Sequence, residues 1–114
     1  MTPIDLGSYK SIYLQTAKEY INSMFLNCDK LSNNLSDKEA INQVHISSHS
    51  LKSQSQVMGF TDIANICLNI EEMSNDALKG TVQLNTQIIS GIKKSLKELE
   101  EMLKQAKYPE GHSA

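Results

Sequence analysis

One polar stripe on a predicted helix carries the residue types of a nucleophilic site. Between residues 41 and 58, apolar and small residues recur every three or four positions, which predicts an amphipathic helix. Positions three and four apart share a helix face. One face then carries five polar residues: His45, His49, Lys52, Ser53 and Gln56. His49 lies off the apolar side, so a bulky partner can approach its ring, and we interpret His49 as a phosphate-accepting histidine.

Length and composition indicate one domain that acts in the cytoplasm. The 114 residues are enough for a single core. A net charge of −2 argues against nucleic-acid binding, which usually requires a basic surface. No apolar run approaches the roughly 18 residues of a membrane span, and the N-terminus lacks the pattern of a signal peptide. Cys28 and Cys67 form no CxxC pair, so we expect two reduced thiols in the core.

Start and stop signals delimit the first two predicted helices. The first runs from Ser8 to about Leu31, where serines and asparagines break the pattern. Residues 36–39 (Ser-Asp-Lys-Glu) read as a capping box with Ser36 as the cap of the second helix. Gly59 is expected to end that helix in a left-handed conformation.

Two further helices follow. Thr61 is the expected cap of the third helix, with Asp62 in its first turn, and residues 79–80 (Lys-Gly) end it. Either Asn85 or Thr86 caps the fourth helix.

Four amphipathic helices with short connections predict an all-α, antiparallel up-and-down four-helix bundle. We assign residues 1–7 to a lead-in, 8–107 to the bundle and 108–114 to a flexible tail, with room for an extra turn near the C-terminus. The four apolar stripes can cover one another, so a monomer is expected.

The residues around His49 resemble those of the histidine phosphotransfer (Hpt) domain family. The motif is H-x-[LI]-K with a glycine ten residues after the histidine: here His49, Leu51, Lys52 and Gly59. Within that family the chain is most similar to the phosphotransfer domains of CheA-type chemotaxis kinases. Three further features carry this similarity: the Gly59-Phe60-Thr61 turn, Glu71 on the next helix, and the connection over residues 79–89. The resemblance spans residues 9–106.

The resemblance implies a phosphocarrier of two-component signalling. His49 would accept a phosphoryl group from a histidine kinase catalytic domain and pass it to a response-regulator receiver domain. Glu71 would accept the Nδ1 proton of His49, and Lys52 would offer positive charge to the phosphoryl group. The chain has no Gly-rich nucleotide loop, so by itself it is not expected to be an enzyme or to bind a cofactor. Mg²⁺ and ATP are expected on the partner domains.

Three positions differ from the usual family pattern. Ser53 replaces a glycine that gives the partner access, and a small serine is expected to keep that access. Leu68 replaces a second histidine three residues before Glu71, which removes a polar contact. His45 replaces an aromatic residue, and we expect it to fill the same slot while half-buried.

Other interpretations of these residues stay open at this level. His45 and His49 are four residues apart on a helix, a spacing that also suits a pair of metal ligands. A zinc site needs further ligands, and the sequence offers only Glu71 nearby, so we expect no metal. As alternatives to a kinase domain, the chain can be a stand-alone Hpt protein of a multistep relay or an adaptor bundle in which His49 is incidental.

Overall fold

The computed structural model describes residues 6–106, with side chains from Ser8 onward, as four helices joined by short loops. They are α1 (Leu6–Asn33), α2 (Lys38–Val57), α3 (Thr61–Lys79) and α4 (Thr86–Ala106). No strand occurs within this range, and the all-α class is confirmed. Helix α1 begins two residues before the predicted start at Ser8. The predicted tail over 108–114 and the extra C-terminal turn lie outside the described residues.

Side-chain contacts between the helices establish their antiparallel order. Tyr13 near the start of α1 bonds Ser55 near the end of α2, whereas Ser23 bonds Ser47 closer to the start of α2. Helix α2 also packs along α3, its most extensive contact, and α4 packs on α1 and α3. The up-and-down bundle is therefore confirmed, and α2 and α3 lie side by side as the site requires.

The core consists of the inward-facing stripes of all four helices. The largest fully buried apolar side chains are Ile21, Met24, Leu31, Val44, Leu51, Leu96 and Leu99. Both cysteines are free and buried, and burial raises the pKa of Cys28 to about 11 and that of Cys67 to about 12. Tyr9, which matches the helical period, is exposed, because α1 begins to bury side chains only at Tyr13.

The cap of α2 is Asp37, so the predicted capping box with Ser36 as the cap is wrong. The Asp37 carboxylate accepts the Ala40 N–H at 3.1 Å from an extended backbone. The N–H of Ser36 is already bonded to the Asn34 side-chain oxygen at 3.0 Å. That turn fixes the preceding loop, and the first helical residue then falls one position later than the capping box implies.

Replacing the observed cap, Asp37, is expected to lower the stability of the domain, whereas replacing the predicted cap, Ser36, is not. Asp37→Ala removes the acceptor of the Ala40 N–H and should lower the free energy of unfolding by about 1 kcal/mol. Ser36→Ala should change it by less than about 0.5 kcal/mol, as at ordinary surface positions. Urea unfolding followed by circular dichroism measures both. Equal losses in the two variants would contradict the assignment of the cap.

Gly59 ends α2 as predicted, through a left-handed residue with φ +81°. Its N–H bonds the Gln56 carbonyl at 3.1 Å, and the N–H of Phe60 bonds the Ser55 carbonyl at 2.8 Å. This pair of bonds is a Schellman motif, which satisfies carbonyls that the helix end leaves without partners.

Helix α3 begins directly after this turn, and its predicted cap, Thr61, is instead its first helical residue. Phe60 occupies the cap position without a side-chain cap bond. Its ring stacks on Tyr13 with centroids 5.2 Å apart, so packing onto α1 fixes the entry of α3. Asp62 lies in the first turn as predicted.

The connection between α3 and α4 follows the prediction. Gly80 ends α3 in a left-handed conformation. Of the two cap candidates for α4, Asn85 is the cap, because its side-chain oxygen accepts the Ile88 N–H at 2.8 Å.

Candidate functional site

Three of the predicted site residues meet where α2 lies along α3. The His49 ring on α2 brings Nδ1 to 2.9 Å from Oε2 of Glu71 on α3. Lys52, one turn further along α2, has its Nζ 2.7 Å from the other carboxylate oxygen, Oε1. That contact is an ion pair between two partly buried groups. One carboxylate on α3 thus holds both an imidazole and an ammonium group of α2.

The contact with Glu71 fixes which nitrogen of His49 can react. An ionised carboxylate can only accept hydrogen bonds, so Nδ1 of His49 carries the proton. In the neutral ring Nε2 then keeps its lone pair. The His49 side chain is 57% exposed, whereas those of Lys52 and Glu71 are 17% and 15% exposed. The site therefore combines an exposed imidazole, whose Nε2 can act as a nucleophile, with two partly buried charged groups beside it.

The carboxylate at the centre of the site stays ionised at neutral pH. Burial alone raises the pKa of Glu71, but the Lys52 ammonium and the hydrogen bond to His49 outweigh it and lower the pKa below its usual range. Glu71 is consequently a permanent acceptor for the Nδ1 proton rather than a group that titrates near neutrality.

The remaining residues of the predicted stripe have separate surroundings. Gln56 is exposed, and Ser53 is half-buried. Gly59 is ten residues from His49, or about 15 Å along the helix axis, so its contribution is to end α2. Ser53 lies in an apolar groove between α1 and α2, which is also lined by Tyr9, Ile12, Thr16 and Val57. The site thus borders an apolar surface one turn beyond His49.

His45 contacts α3 through a residue that the sequence analysis missed. Its Nδ1 lies 3.3 Å from the hydroxyl of Ser74, which is buried and donates its own hydrogen bond to the Glu71 carbonyl at 2.8 Å. Ser74 lies one turn after Glu71, so a search of that face of α3 for polar residues would have found it. At Leu68, 38% exposed, the site has no polar group.

Two findings concern other kinds of site. Among residues 6–106, no group of three or more His, Cys, Asp and Glu side chains is arranged to hold a metal ion. None of the helices in that range is long and apolar enough to cross a membrane.

Comparison with known proteins identifies the domain. The family profile described as Hpt domain matches residues 8–107. The chain belongs to the Hpt domain family. Hpt domains carry phosphoryl groups rather than catalyse their removal from ATP, so this Hpt domain is a phosphocarrier module of two-component signalling and not a kinase catalytic domain.

The chain is also similar in sequence and in structure to individual proteins. Chemotaxis protein CheA of Bacillus subtilis (strain 168) is 21% identical over 100 residues, which make up 88% of this Hpt domain chain and 15% of that protein. The chain therefore spans about a seventh of that relative. The CheA phosphotransferase domain from Thermotoga maritima superposes with a TM-score of 0.86 at 21% identity, covering 90% of this chain and 98% of that one. A computationally redesigned four-helix bundle gives 0.82 at 21% identity, covering 87% and 97%. These structures show the shared fold.

Proposed function

We propose that His49 is the residue of this Hpt domain that carries the phosphoryl group. The observation that carries this proposal is the 2.9 Å contact between His49 Nδ1 and Glu71, which leaves an exposed Nε2 with a lone pair. His45, the other described histidine, is half-buried against Ser74. Of the two histidines in the described part of the chain, only His49 combines a carboxylate partner with a side chain that is largely open to solvent.

Phosphoryl transfer through His49 then takes two steps, one from ATP to the histidine and one from the histidine to a receiver. The lone pair of His49 Nε2 forms a bond to the γ-phosphorus of ATP while the bond from phosphorus to the bridging oxygen breaks, and ADP leaves with that electron pair. The ring becomes positively charged, and Glu71 stabilises this charge by drawing the Nδ1 proton toward its oxygen. In the second step an aspartate oxygen of a receiver attacks phosphorus, and the N–P pair returns to Nε2.

Lys52 supplies positive charge close to the transferred group. Phosphoryl transfer relies on positioning and charge stabilisation rather than on many protein groups. The ammonium group is 17% exposed and is held by Glu71, so it is oriented before a partner arrives. Ser53 adds little bulk beside the ring, which leaves room for the partner's reactive groups.

The partners we propose are a histidine kinase catalytic domain of the CheA type as donor and a receiver domain as acceptor. ATP and Mg²⁺ would be bound by those partners, and this domain would need no cofactor of its own. The domain would act as a monomeric carrier in the cytoplasm, where ATP is available. Support for the CheA type comes from the two CheA relatives and from Glu71 and Lys52 at the site.

A direct test is to incubate the domain with a CheA-type catalytic fragment and ATP labelled on the γ-phosphate. We expect label that is stable in alkali and lost in acid, as for phosphohistidine, and that moves to a receiver added afterwards. Mass spectrometry should locate it on the peptide that contains His49.

The source of the label separates the related functions. Loading from the kinase fragment supports the CheA-type role, whereas loading only from a phosphorylated receiver supports a stand-alone relay protein. If several donors of both kinds leave the domain unlabelled, the carrier function is wrong and an adaptor role is the better explanation.

A further inference from the structure

A second imidazole lies one helical turn before His49 and is held in the same way. The Ser74 hydroxyl donates its only proton to the Glu71 carbonyl at 2.8 Å. In the 3.3 Å contact with His45 the hydroxyl oxygen therefore accepts, and Nδ1 of His45 is the donor. Both histidines of α2 thus direct an Nδ1–H toward oxygen atoms of α3, which leaves Nε2 of each ring on the other side.

The spacing of the two rings suits a group that bridges them. Side chains four residues apart on a helix have Cβ atoms about 5–6 Å apart. A phosphoryl group on Nε2 of His49 projects its oxygens beyond the ring, and a hydrogen bond of about 2.8 Å can span the remaining distance to His45. In the neutral ring Nε2 of His45 is an acceptor, which would repel a phosphoryl oxygen, whereas in the protonated ring it is a donor.

We propose that protonated His45 donates a hydrogen bond from Nε2 to the phosphoryl group on His49 and stabilises it during transfer. This inference rests on the proposed phosphorylation of His49. Because Lys52 already neutralises Glu71, a second cation on the same face adds charge where the phosphoryl oxygens gather. Hydrogen bonds between ionised partners are roughly twice as strong as neutral ones.

Other charges near His45 do not replace it in this role. On α3 the acidic residues nearest to Ser74 in sequence are Glu71, Glu72 and Asp76, whereas on α2 the Lys52 ammonium is one turn beyond His49. Within two turns of His45 or of Ser74, the titratable residues are Lys38, Glu39, His49, Lys52, Cys67, Glu71, Glu72, Asp76 and Lys79. Among these described residues, His45 is the only imidazole besides His49, which would itself carry the phosphoryl group.

The test compares two substitutions of His45 in a domain that also carries His112→Gln, so that only His45 and His49 remain as histidines. His45→Phe keeps an aromatic ring without a donor, and His45→Gln keeps a neutral donor. Rates of phosphoryl uptake by each variant and by the parent are measured at about pH 6 and about pH 8.5, on either side of ordinary imidazole protonation. Taking the ratio of parent to variant cancels the pH dependence of the kinase fragment.

We expect the parent to be labelled roughly 10-fold faster than His45→Phe at the lower pH, with the ratio falling toward 1 at the higher pH. His45→Gln should lie between them at the lower pH. In ¹⁵N spectra near neutral pH, Nε2 of His45 should gain a proton when His49 is phosphorylated. Circular dichroism checks that both variants fold.

The opposite results are equally distinct. Label on His49 with a parent-to-variant ratio that is the same at both pH values overturns this inference alone and reduces His45 to a packing residue. An Nε2 of His45 that stays unprotonated after phosphorylation does the same. Absence of label on His49 in the parent overturns the proposed function, and this inference with it.

Discussion

The His49→Gln variant should accept no phosphoryl group above background, a loss of roughly 1,000-fold or more, as expected when a nucleophile is removed. Glutamine keeps a similar length and polarity but has no nitrogen lone pair that can attack phosphorus. The fold should survive, because the His49 side chain is 57% exposed and Glu71 keeps its ion pair with Lys52. Uptake from labelled ATP and thermal unfolding, measured on the same preparation, separate loss of chemistry from loss of structure.

The matched control is His45→Gln, the same substitution one turn earlier on the same helix. It should still be labelled, because His49 and Glu71 are unchanged. Label that persists in His49→Gln and disappears in His45→Gln would assign the phosphoryl group to His45. Label that persists in both would move it to another residue and contradict the site described above.

The fold was predictable because one period dominates the chain. Spacings of three and four residues fix which side of each helix is apolar, and residues with large apolar side chains at those spacings have little alternative to the core. Tyr9 fits the period and is nevertheless exposed, since it lines the open groove between α1 and α2 that Val57 also lines. A sequence period describes one helix and carries no information on how closely its neighbours pack at each level.

The helix starts were harder to predict because adjacent residues compete for the cap. Serine and aspartate are both good cap residues, so Ser36 and Asp37 were both candidates. The hydrogen bond from the Ser36 N–H to Asn34 holds Ser36 in the preceding loop, and Asp37 is therefore the cap. Thr61 lost the cap position because Phe60 stacks on Tyr13, which is far away in sequence. Such choices depend on loop geometry and tertiary contacts, which the local pattern does not contain.

The candidate site was predictable to different degrees. The shared face of His49 and Lys52 follows from helical spacing alone. Glu71 was predicted from the family resemblance and not from helical spacing. Its contacts with His49 and Lys52 follow once α2 and α3 pack side by side. Ser74 was missed because a serine inside a helix usually bonds its own backbone, and its contact with His45 depends on the register between two helices.

Replacing Glu71 with glutamine should slow phosphoryl uptake about 10- to 100-fold, by analogy with the loss when the hydrogen-bond partner of a metal-ligating histidine is changed. The amide can accept the Nδ1 proton through its oxygen, or it can donate to Nδ1 through its NH₂ group. The second arrangement moves the ring proton to Nε2 and removes the nucleophilic lone pair. Glutamine also leaves Lys52 without its anion, so the ammonium group is no longer held beside His49.

Glu72→Gln is the control, because it removes the same charge from the next residue of α3, which is exposed. The single-turnover rate of uptake by Glu72→Gln should stay within about twofold of the parent's rate, as for an ordinary surface position. The rate for Glu71→Gln should be clearly slower than both. The tautomer of His49, read from ¹⁵N shifts, should change only in Glu71→Gln. If Glu71→Gln is labelled at the parent's rate with an unchanged tautomer, the carboxylate does not orient His49.

The pH dependence of the parent supplies an independent check on the same carboxylate. Its pKa is lowered in the folded domain by Lys52 and His49, so the stabilisation that it provides is fully present above the unfolded value of about 4.3 and is lost as the pH falls through the lower folded value. Between about pH 5 and pH 8, Glu71 therefore stays charged, and its own titration contributes nothing to changes in uptake over that window. Replacing Glu71 should then lower uptake across the whole window, whereas a carboxylate that titrated within it would give a loss confined to the higher pH values.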